Sequence, residues 1–176
     1  MSNYQTIVAD PPWPFRDKLP GKGRGAAKHY QMMTMEQIYG YKLPDVEDDC
    51  RLFLWTVTAM GEEGYMTMRT WGFRPVCELI WVKLTSGGKP WFGMGRTVRG
   101  AHERCIIGVR GRPKVLSRSV RSVFTAKAGP HSEKPEEFYQ LVEELSPGPY
   151  LELFGRRQRE GWTVLGNELD SGNLCP

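Results

Sequence analysis

Asp10, Pro11, Pro12 and Trp13 follow directly on the apolar run Thr6-Ile7-Val8-Ala9. A carboxylate set where a strand ends is placed to accept hydrogen bonds. Each of the two prolines behind it has a fixed φ and no N–H, so the turn is stiff and offers mainly acceptors. Trp13 adds a flat surface. A ligand that suits this corner is itself flat and presents N–H donors, and the exocyclic amine of a nucleobase does both. That amine is a poor nucleophile, because its lone pair is delocalised into the ring. Asp10 and the Pro11 carbonyl, taking its two hydrogens, would localise the lone pair and aim it at an electrophile, which is positioning plus electrostatic catalysis. With a sulfonium methyl as the electrophile, the step needs neither a metal nor a strongly shifted base. Asp-Pro-Pro is also an ordinary turn composition, and a tryptophan an ordinary core residue. The four residues alone are balanced between the two readings, and the strand directly before them tips the balance toward a site.

The elements that must position this turn alternate in kind. Strand-like runs occur at residues 5–9, "RLFLWTV", "CELIWVK", "RCIIGVRG", "YLELF" and "WTVLG". Between them lie three helical patterns. The first starts at "TMEQIYGY", where Thr34 and Gln37 have capping-box spacing. The second, "TAMGEEGYMTMRTWG", is stopped by Gly72. In the third, "HSEKPEEFYQLVEELSPG", Ser132 suits the cap and Pro135 the first turn, and Phe138, Leu141, Val142 and Leu145 share one face. The pattern predicts an α/β fold, a mostly parallel sheet covered by helices on both faces. Ligands of such sheets bind beyond the carboxyl ends of the strands, near the topological switch point. Asp10 stands at one such end, and Gly155 and Arg156 at another. Residues 14–33 and 84–102 read as long loops, and residues 111–131 as mostly irregular.

A chain of 176 residues with 40% hydrophobic and 25% charged content fits one soluble domain, taken as residues 1–176. No apolar run is long enough to cross a bilayer, and "MSNYQTIVAD" is too short and polar for a signal peptide, which places the protein in the cytoplasm and away from membranes. The four cysteines form no C-x-x-C pair and have no histidine at zinc-ligand spacing. Cys77 and Cys105, inside apolar runs, read as buried free thiols; no disulfide and no metal are expected. The net charge is +4, unevenly spread. Bases gather in the glycine-rich stretches and acids in "DVEDD" and "EKPEEFYQLVEE", which makes a polyanionic partner a fair expectation.

D-P-P-W at a strand end is similar to the signature of methyltransferases that modify the adenine N6 amine. The chain closely resembles the mRNA adenosine methyltransferase (MT-A, seventy-kilodalton) family from about Tyr4 to Asp170, through "YQTIVADPPW", "HYQMMTMEQI", "RLFLWTV", "WGFRPVCELIWVK", "HERCIIGVRG", "HSEKPEEFYQLVEELSPG", "LELFGR" and "GWTVLGNELD". Each block is modest alone; their order and spacing carry the match. The resemblance implies a Rossmann-like fold that depends on S-adenosylmethionine and releases S-adenosylhomocysteine, with the catalytic strand first and the cofactor strand late, a permuted motif order. It implies Asp10, Pro11, Pro12 and Trp13 as catalytic residues, with Asp10 also near the cofactor's amino group. Glu152, Phe154 and Arg156 would hold the cofactor, and Asn167 and Glu168 its ribose. Lys134 is either a cation for the cofactor's carboxylate or a surface residue of a helix start. His102 stands where members carry a cofactor-contacting lysine, or is a loop-anchoring residue. Only nine residues precede Asp10, fewer than the eukaryotic members use to line the adenine end of the cofactor, and Arg157, Gln158 and Arg159 replace their His-Asn pair.

The target amine lies in a base stack, so the base must be flipped or unpaired. Arg16, Lys18, Lys22, Arg24 and Lys28 in one loop, and Lys89, Arg96 and Arg99 in the other, would contact phosphates. Trp91 and Phe92 would stack on bases or wedge the gap, or instead pin the loop or cover a dimer surface. Tyr30 is expected as a base contact. Without zinc-finger cysteines or a further domain the chain reads as a minimal catalytic domain of bacterial or phage type, acting on DNA in preference to RNA, with a homodimer one arrangement open to it. Two rivals are a non-catalytic subunit, against which the retained Asp10–Trp13 and "LELFGR" count, and a protein-amide methyltransferase, a class that usually starts its motif with asparagine and ends it with tyrosine.

Overall fold

The computed structural model describes residues 3–14, 32–95, 97–129 and 133–166. In chain order the elements are β1 (Tyr4–Ala9), α1 (Met35–Tyr39), β2 (Val46–Thr56), a single 3-10 turn (Thr58–Met60), α2 (Gly61–Thr70), β3 (Arg74–Leu84), β4 (His102–Arg110), β5 (Val123–Lys127), α3 (Glu136–Leu145), β6 (Tyr150–Leu153) and β7 (Trp162–Leu165). The strands form one sheet in the order β5-β3-β4-β2-β1-β6-β7. Only β4 runs against its neighbours; the pairs β1–β2, β1–β6, β6–β7 and β3–β5 are parallel. β1 therefore lies between β2 and β6. The chain leaves it for one half of the sheet and returns late on its other side, so the switch point falls beside Asp10.

Period-two alternation divides the core between the faces. Ile7, Ala9, Leu52, Leu54, Ile106, Leu151 and Leu153 face α1 and α2, which contribute Ile38 and Met68. Val8, Phe53, Trp55, Leu79, Trp81, Cys105, Ile107 and Val164 face α3, which contributes Phe138, Tyr139 and Val142. Both faces are thus covered, as expected of a largely parallel sheet. The capping box of α1 forms as read: the Gln37 N–H donates to Thr34 Oγ1 at 3.2 Å and the Thr34 N–H donates to Gln37 Oε1 at 2.8 Å. α2 is followed by Gly72 at φ +84°, a conformation that stops the helix and favours glycine.

Two loop readings gain detail and two other expectations are corrected. Residues 111–131 are mostly irregular, as expected, and β5 is the one strand among the described residues there. Only Ala126 of its five residues is buried, so it has no apolar alternation to read; backbone pairing with β3 makes it a strand. Between Leu84 and His102 the chain is a loop, as expected, with a single bridge between Leu84 and Pro90, and it folds back as an arm. β3 and β4 are antiparallel neighbours, and the chain between them doubles back through bonds such as Trp91 N–H to the Lys83 carbonyl at 2.9 Å and Gly93 N–H to the Gly100 carbonyl at 3.0 Å. Pro135 is the N-cap of α3, with extended backbone, and not part of its first turn; Ser132 lies outside the described residues. Cys77 is exposed, because the strand around it meets the sheet's irregular register between Pro75 and Cys77, whereas Cys50 and Cys105 are buried free thiols. Cys175 lies outside the described residues. No helix among them is long and apolar enough to cross a membrane.

Candidate active site

All strands but β4 point one way, so one edge of the sheet gathers Asp10 after β1, Lys83 near the end of β3, and Glu103 near the start of β4. Alternation turns all three toward the α3 face. Asp10 follows the parity of Val8, Lys83 that of Leu79 and Trp81, and Glu103 that of Cys105 and Ile107. Lys134 enters the same space from the residues that lead into α3. Its side chain is 8% exposed, and its ammonium lies 2.8 Å from Asp10 Oδ2, 3.1 Å from Glu103 Oε2 and 4.9 Å from the centre of the Trp55 ring. Glu103 Oε1 in turn holds Lys83. The result is an alternating chain, Lys83–Glu103–Lys134–Asp10, with no net charge. Burial opposes the charge of Lys134, but Asp10 and Glu103 outweigh it and hold the ammonium's pKa above the ordinary lysine value. Burial likewise opposes ionisation of Glu103, and Lys134 with Lys83 outweighs that and holds it below the usual carboxylate range.

A second cluster adjoins the first through β6. Glu152 has the parity of Tyr150 and so also faces α3. It accepts a hydrogen bond from the Tyr139 hydroxyl at 2.8 Å. Burial pushes Glu152 above the usual carboxylate range, and repulsion from Asp10 adds to this, against the Tyr139 hydrogen bond and the nearby arginines. Arg159 lies over the Tyr139 ring, 3.6 Å from its centre, and grips Glu136 with both guanidinium nitrogens at 2.7 and 2.6 Å. Arg157 pairs with Glu133 at 2.6 Å. The turn between β6 and β7 is thereby tied to the start of α3. Phe154, directly after β6, has φ +64°, the one described non-glycine residue in the left-handed region, and its ring centre lies 4.9 Å from that of Tyr41. A Cβ on Gly155 would overlap Val164, and one on Gly166 would overlap the Gly155 carbonyl, so the ends of β6 and β7 approach closely only because both residues are glycine.

The motif that opened the sequence reading divides in two. Asp10 faces α3, whereas Trp13 packs in the core on the α1 and α2 side, 6% exposed, and its indole N–H donates to the Trp55 carbonyl at 2.9 Å. Trp13 is a wall of this corner and not an open stacking surface. The Pro11 carbonyl already accepts the Trp13 N–H at 2.8 Å, and the Pro12 carbonyl accepts the Met33 N–H at 3.0 Å. Each oxygen keeps a second lone pair. The surface alternative for Lys134 is excluded by its burial. His102 is exposed and faces away from Glu103; alternation along β4 marks Glu103 as the residue on the α3 face. Lys89, Arg99 and Arg156 are exposed, with the Arg99 guanidinium 4.9 Å from the centre of the Phe92 ring. Arg16, Lys18, Lys22, Arg24, Lys28, Tyr30, Arg96, Asn167 and Glu168 lie outside the described residues. Sequence reasoning missed Glu103, Lys83, Tyr139 and Arg159. The first two depend on which face of β3 and β4 meets α3, and the last two on how α3 lies over β6. Among the described residues no group of His, Cys, Asp and Glu side chains gathers as a metal-binding cluster.

Two outcomes follow from these charges. Replacing Lys134 with methionine leaves Asp10 and Glu103 facing each other and should cost about 3 kcal/mol at neutral pH. The raised Lys134 pKa gives stability that is complete below the ordinary lysine value and lost as pH rises through the raised one. The depressed Glu103 pKa gives stability that is present above the ordinary carboxylate value and lost as pH falls through the depressed one. Urea unfolding should therefore show the deficit of Lys134→Met shrinking in both acid and strong base; a deficit independent of pH contradicts the assignment. Glu152 has the opposite sign. Its raised pKa costs stability once the pH exceeds the ordinary glutamate value. Glu152→Gln should accordingly melt higher than the parent at neutral pH and match it in acid, and a variant that melts lower at neutral pH would show that the carboxylate is stabilising.

A model of the MT-A70 family matches residues 4–168. The chain is 34% identical over 181 residues to a Drosophila melanogaster protein named N(6)-adenosine-methyltransferase MT-A70-like protein, an alignment that covers 99% of this chain and 28% of that one. It is 33% identical to the Homo sapiens N(6)-adenosine-methyltransferase catalytic subunit METTL3, covering 99% of this chain and 30% of that one. It is 25% identical over 192 residues to the Type II methyltransferase M.MunI of a Mycoplasma species, covering 97% and 80%. The chain thus spans less than a third of the length of the first two relatives. The sheet and the helices on both faces make a Rossmann-like fold of the S-adenosylmethionine-dependent methyltransferase type, and the chain belongs to the MT-A70 family.

Proposed function

We propose that the chain methylates the N6 amine of adenine in nucleic acid, with S-adenosylmethionine as donor and DNA as substrate. The observation that carries this reading is the Asp10 carboxylate, fixed at the switch point by a buried ammonium beside strand ends that only glycine can line.

The residues at this edge suit the donor's chemistry. S-adenosylmethionine, when bound, supplies a methyl group on a positively charged sulfonium. Asp10 and Glu152 are acidic groups that favour a cationic ligand carrying an ammonium. Lys134 uses two of its three N–H donors on Asp10 and Glu103, which leaves one for a carboxylate. Phe154, Gly155 and Gly166 form a close-set backbone rim, with Arg156 beyond it. Asn167 and Glu168 are proposed for the ribose hydroxyls.

On the substrate side, Asp10 accepts one amine hydrogen and the second lone pair of the Pro11 carbonyl accepts the other. The nitrogen lone pair is then held out of conjugation with the purine and directed outward. Lys134 keeps the carboxylate in place, so little reorganisation is needed when charge develops on the nitrogen. After transfer the methylated nitrogen is cationic and loses a proton to Asp10 or to water. Trp13 shapes the corner from behind.

DNA is favoured because the chain covers four-fifths of the type II methyltransferase but less than a third of the N(6)-adenosine-methyltransferases. RNA is the second reading, supported by the higher identity to the N(6)-adenosine-methyltransferases. Methyl transfer from labelled donor to DNA and to RNA of the same sequence decides between them. Asp10→Asn keeps the shape and removes the charge; it should lower transfer by about a hundredfold or more while S-adenosylhomocysteine still raises the melting temperature. Near-normal turnover of this variant would refute the role of the carboxylate.

A further inference from the structure

The arm between β3 and β4 exposes what a folded chain normally buries. Phe92 is 75% exposed, Met94 70% and Val98 76%, with Trp91 beside them at 41%. Large exposed apolar side chains gathered on one short arm point to an interaction surface. The arm's charge says what kind. From Leu84 to His102 there is no acidic residue, while Lys89 and Arg99 are exposed and Arg96 lies in the same stretch. The Arg99 guanidinium sits over the Phe92 ring, so the aromatic face and the cation are presented together. Protein partners would be met equally well by apolar groups alone; a cation stacked on an exposed ring, with no carboxylate nearby, suits a polyanion that also offers π-faces.

The arm is joined to the active site at its root. Lys83 donates its backbone N–H to the Ala101 carbonyl at 2.8 Å and accepts the Trp91 N–H at 2.9 Å. The same residue's ammonium holds Glu103, which holds Lys134, which holds Asp10. The base of the arm and the carboxylate that would receive the amine therefore belong to one ion-paired chain.

We propose that this arm is the duplex-opening element of the enzyme, with Phe92, backed by Arg99, entering the base stack at the place left by the displaced adenine. Apolar side chains commonly serve as such wedges, and they offset the loss of stacking when a base leaves the helix. Lys89 and Arg99 meet the flanking phosphates. This rests on the function proposed above and adds to it a division of labour. The edge of the sheet performs the transfer, and the arm makes a paired adenine reachable. The arm should matter for duplexes and much less for single strands.

Native and heat-denatured genomic DNA supply the same sequences in the two strand states, so no knowledge of the recognition site is needed. For Phe92→Ala, the ratio of methyl transfer on native to denatured DNA should fall about tenfold or more, and Phe92→Trp should restore it. A ratio unchanged by Phe92→Ala, with the parent active, overturns the wedge and leaves the proposed function standing. If sedimentation shows a parent dimer that Phe92→Ala dissociates, the surface belongs to a second copy of the chain and the wedge is overturned. A parent that transfers to neither DNA nor RNA refutes the proposed function. The arm is then judged without chemistry: a mixed-sequence duplex that quenches tryptophan emission in the parent but not in Trp91→Phe supports it, and equal quenching, or none, overturns it.

Discussion

The rest of the site depends on one buried ammonium. Lys134 is removed from water by the strands beneath it and the aromatic ring of Trp55 beside it. An uncompensated charge there would cost several kcal/mol, which is why it is met by two carboxylates from different strands. Each contact has a direct attraction of about 4 kcal/mol at the effective dielectric of a protein surface, comparable with the cost of burial. The balance constrains geometry more than it adds stability. Asp10 cannot swing away from the switch point without leaving Lys134 short of a partner, and Glu103 cannot move without releasing Lys83 as well.

That constraint connects elements far apart in the chain. β1 supplies Asp10, β3 Lys83, β4 Glu103, and the approach to α3 supplies Lys134. α3 is in turn fastened to the turn after β6 by Arg157–Glu133 and Arg159–Glu136. The first of these pairs is solvent-exposed and contributes little by itself. The second also places a guanidinium over Tyr139, whose hydroxyl fixes Glu152. The acidic groups on either side of the switch point are thus positioned through one helix. Glu152 bears the cost of this arrangement, since it is partly buried near another carboxylate with only a tyrosine hydroxyl and the nearby arginines to favour its charge. Phe154, in a left-handed conformation at the strand end, is a second local cost in the same place. Strain and unfavourable charge gathered at a strand terminus are what a ligand-binding edge requires and a purely structural edge would avoid.

Much of this was legible in the sequence, and the failures have physical causes. The strands β1, β2, β3, β4, β6 and β7 announce themselves because their buried faces need apolar residues. β5 does not, because an edge strand with one buried alanine is specified by backbone pairing alone. The reversal of β4 is invisible in its residues, since a strand buried on both faces reads the same in either direction, so nothing in the sequence says that the long loop joins antiparallel neighbours. Asp10 and Lys134 could be singled out as candidates from local sequence and resemblance. Their direct contact could not, nor could the choice of Glu103 over His102, without knowing which face of β4 meets α3. Trp13 shows the opposite error. Four adjacent residues suggested four cooperating groups, yet the stiff turn sends the carboxylate to one face and the indole to the other.

The claim that Asp10 and Lys134 hold each other is tested most directly by nitrogen NMR of the Lys134 side chain. In the parent protein the ammonium should remain protonated above the ordinary lysine value of 10.5 despite its burial. In Asp10→Asn it should lose its proton at a lower pH than in the parent. A Lys134 that titrates at or below 10.5 in the parent, and does not respond when Asp10 loses its charge, would mean that the carboxylate is not held by the ammonium.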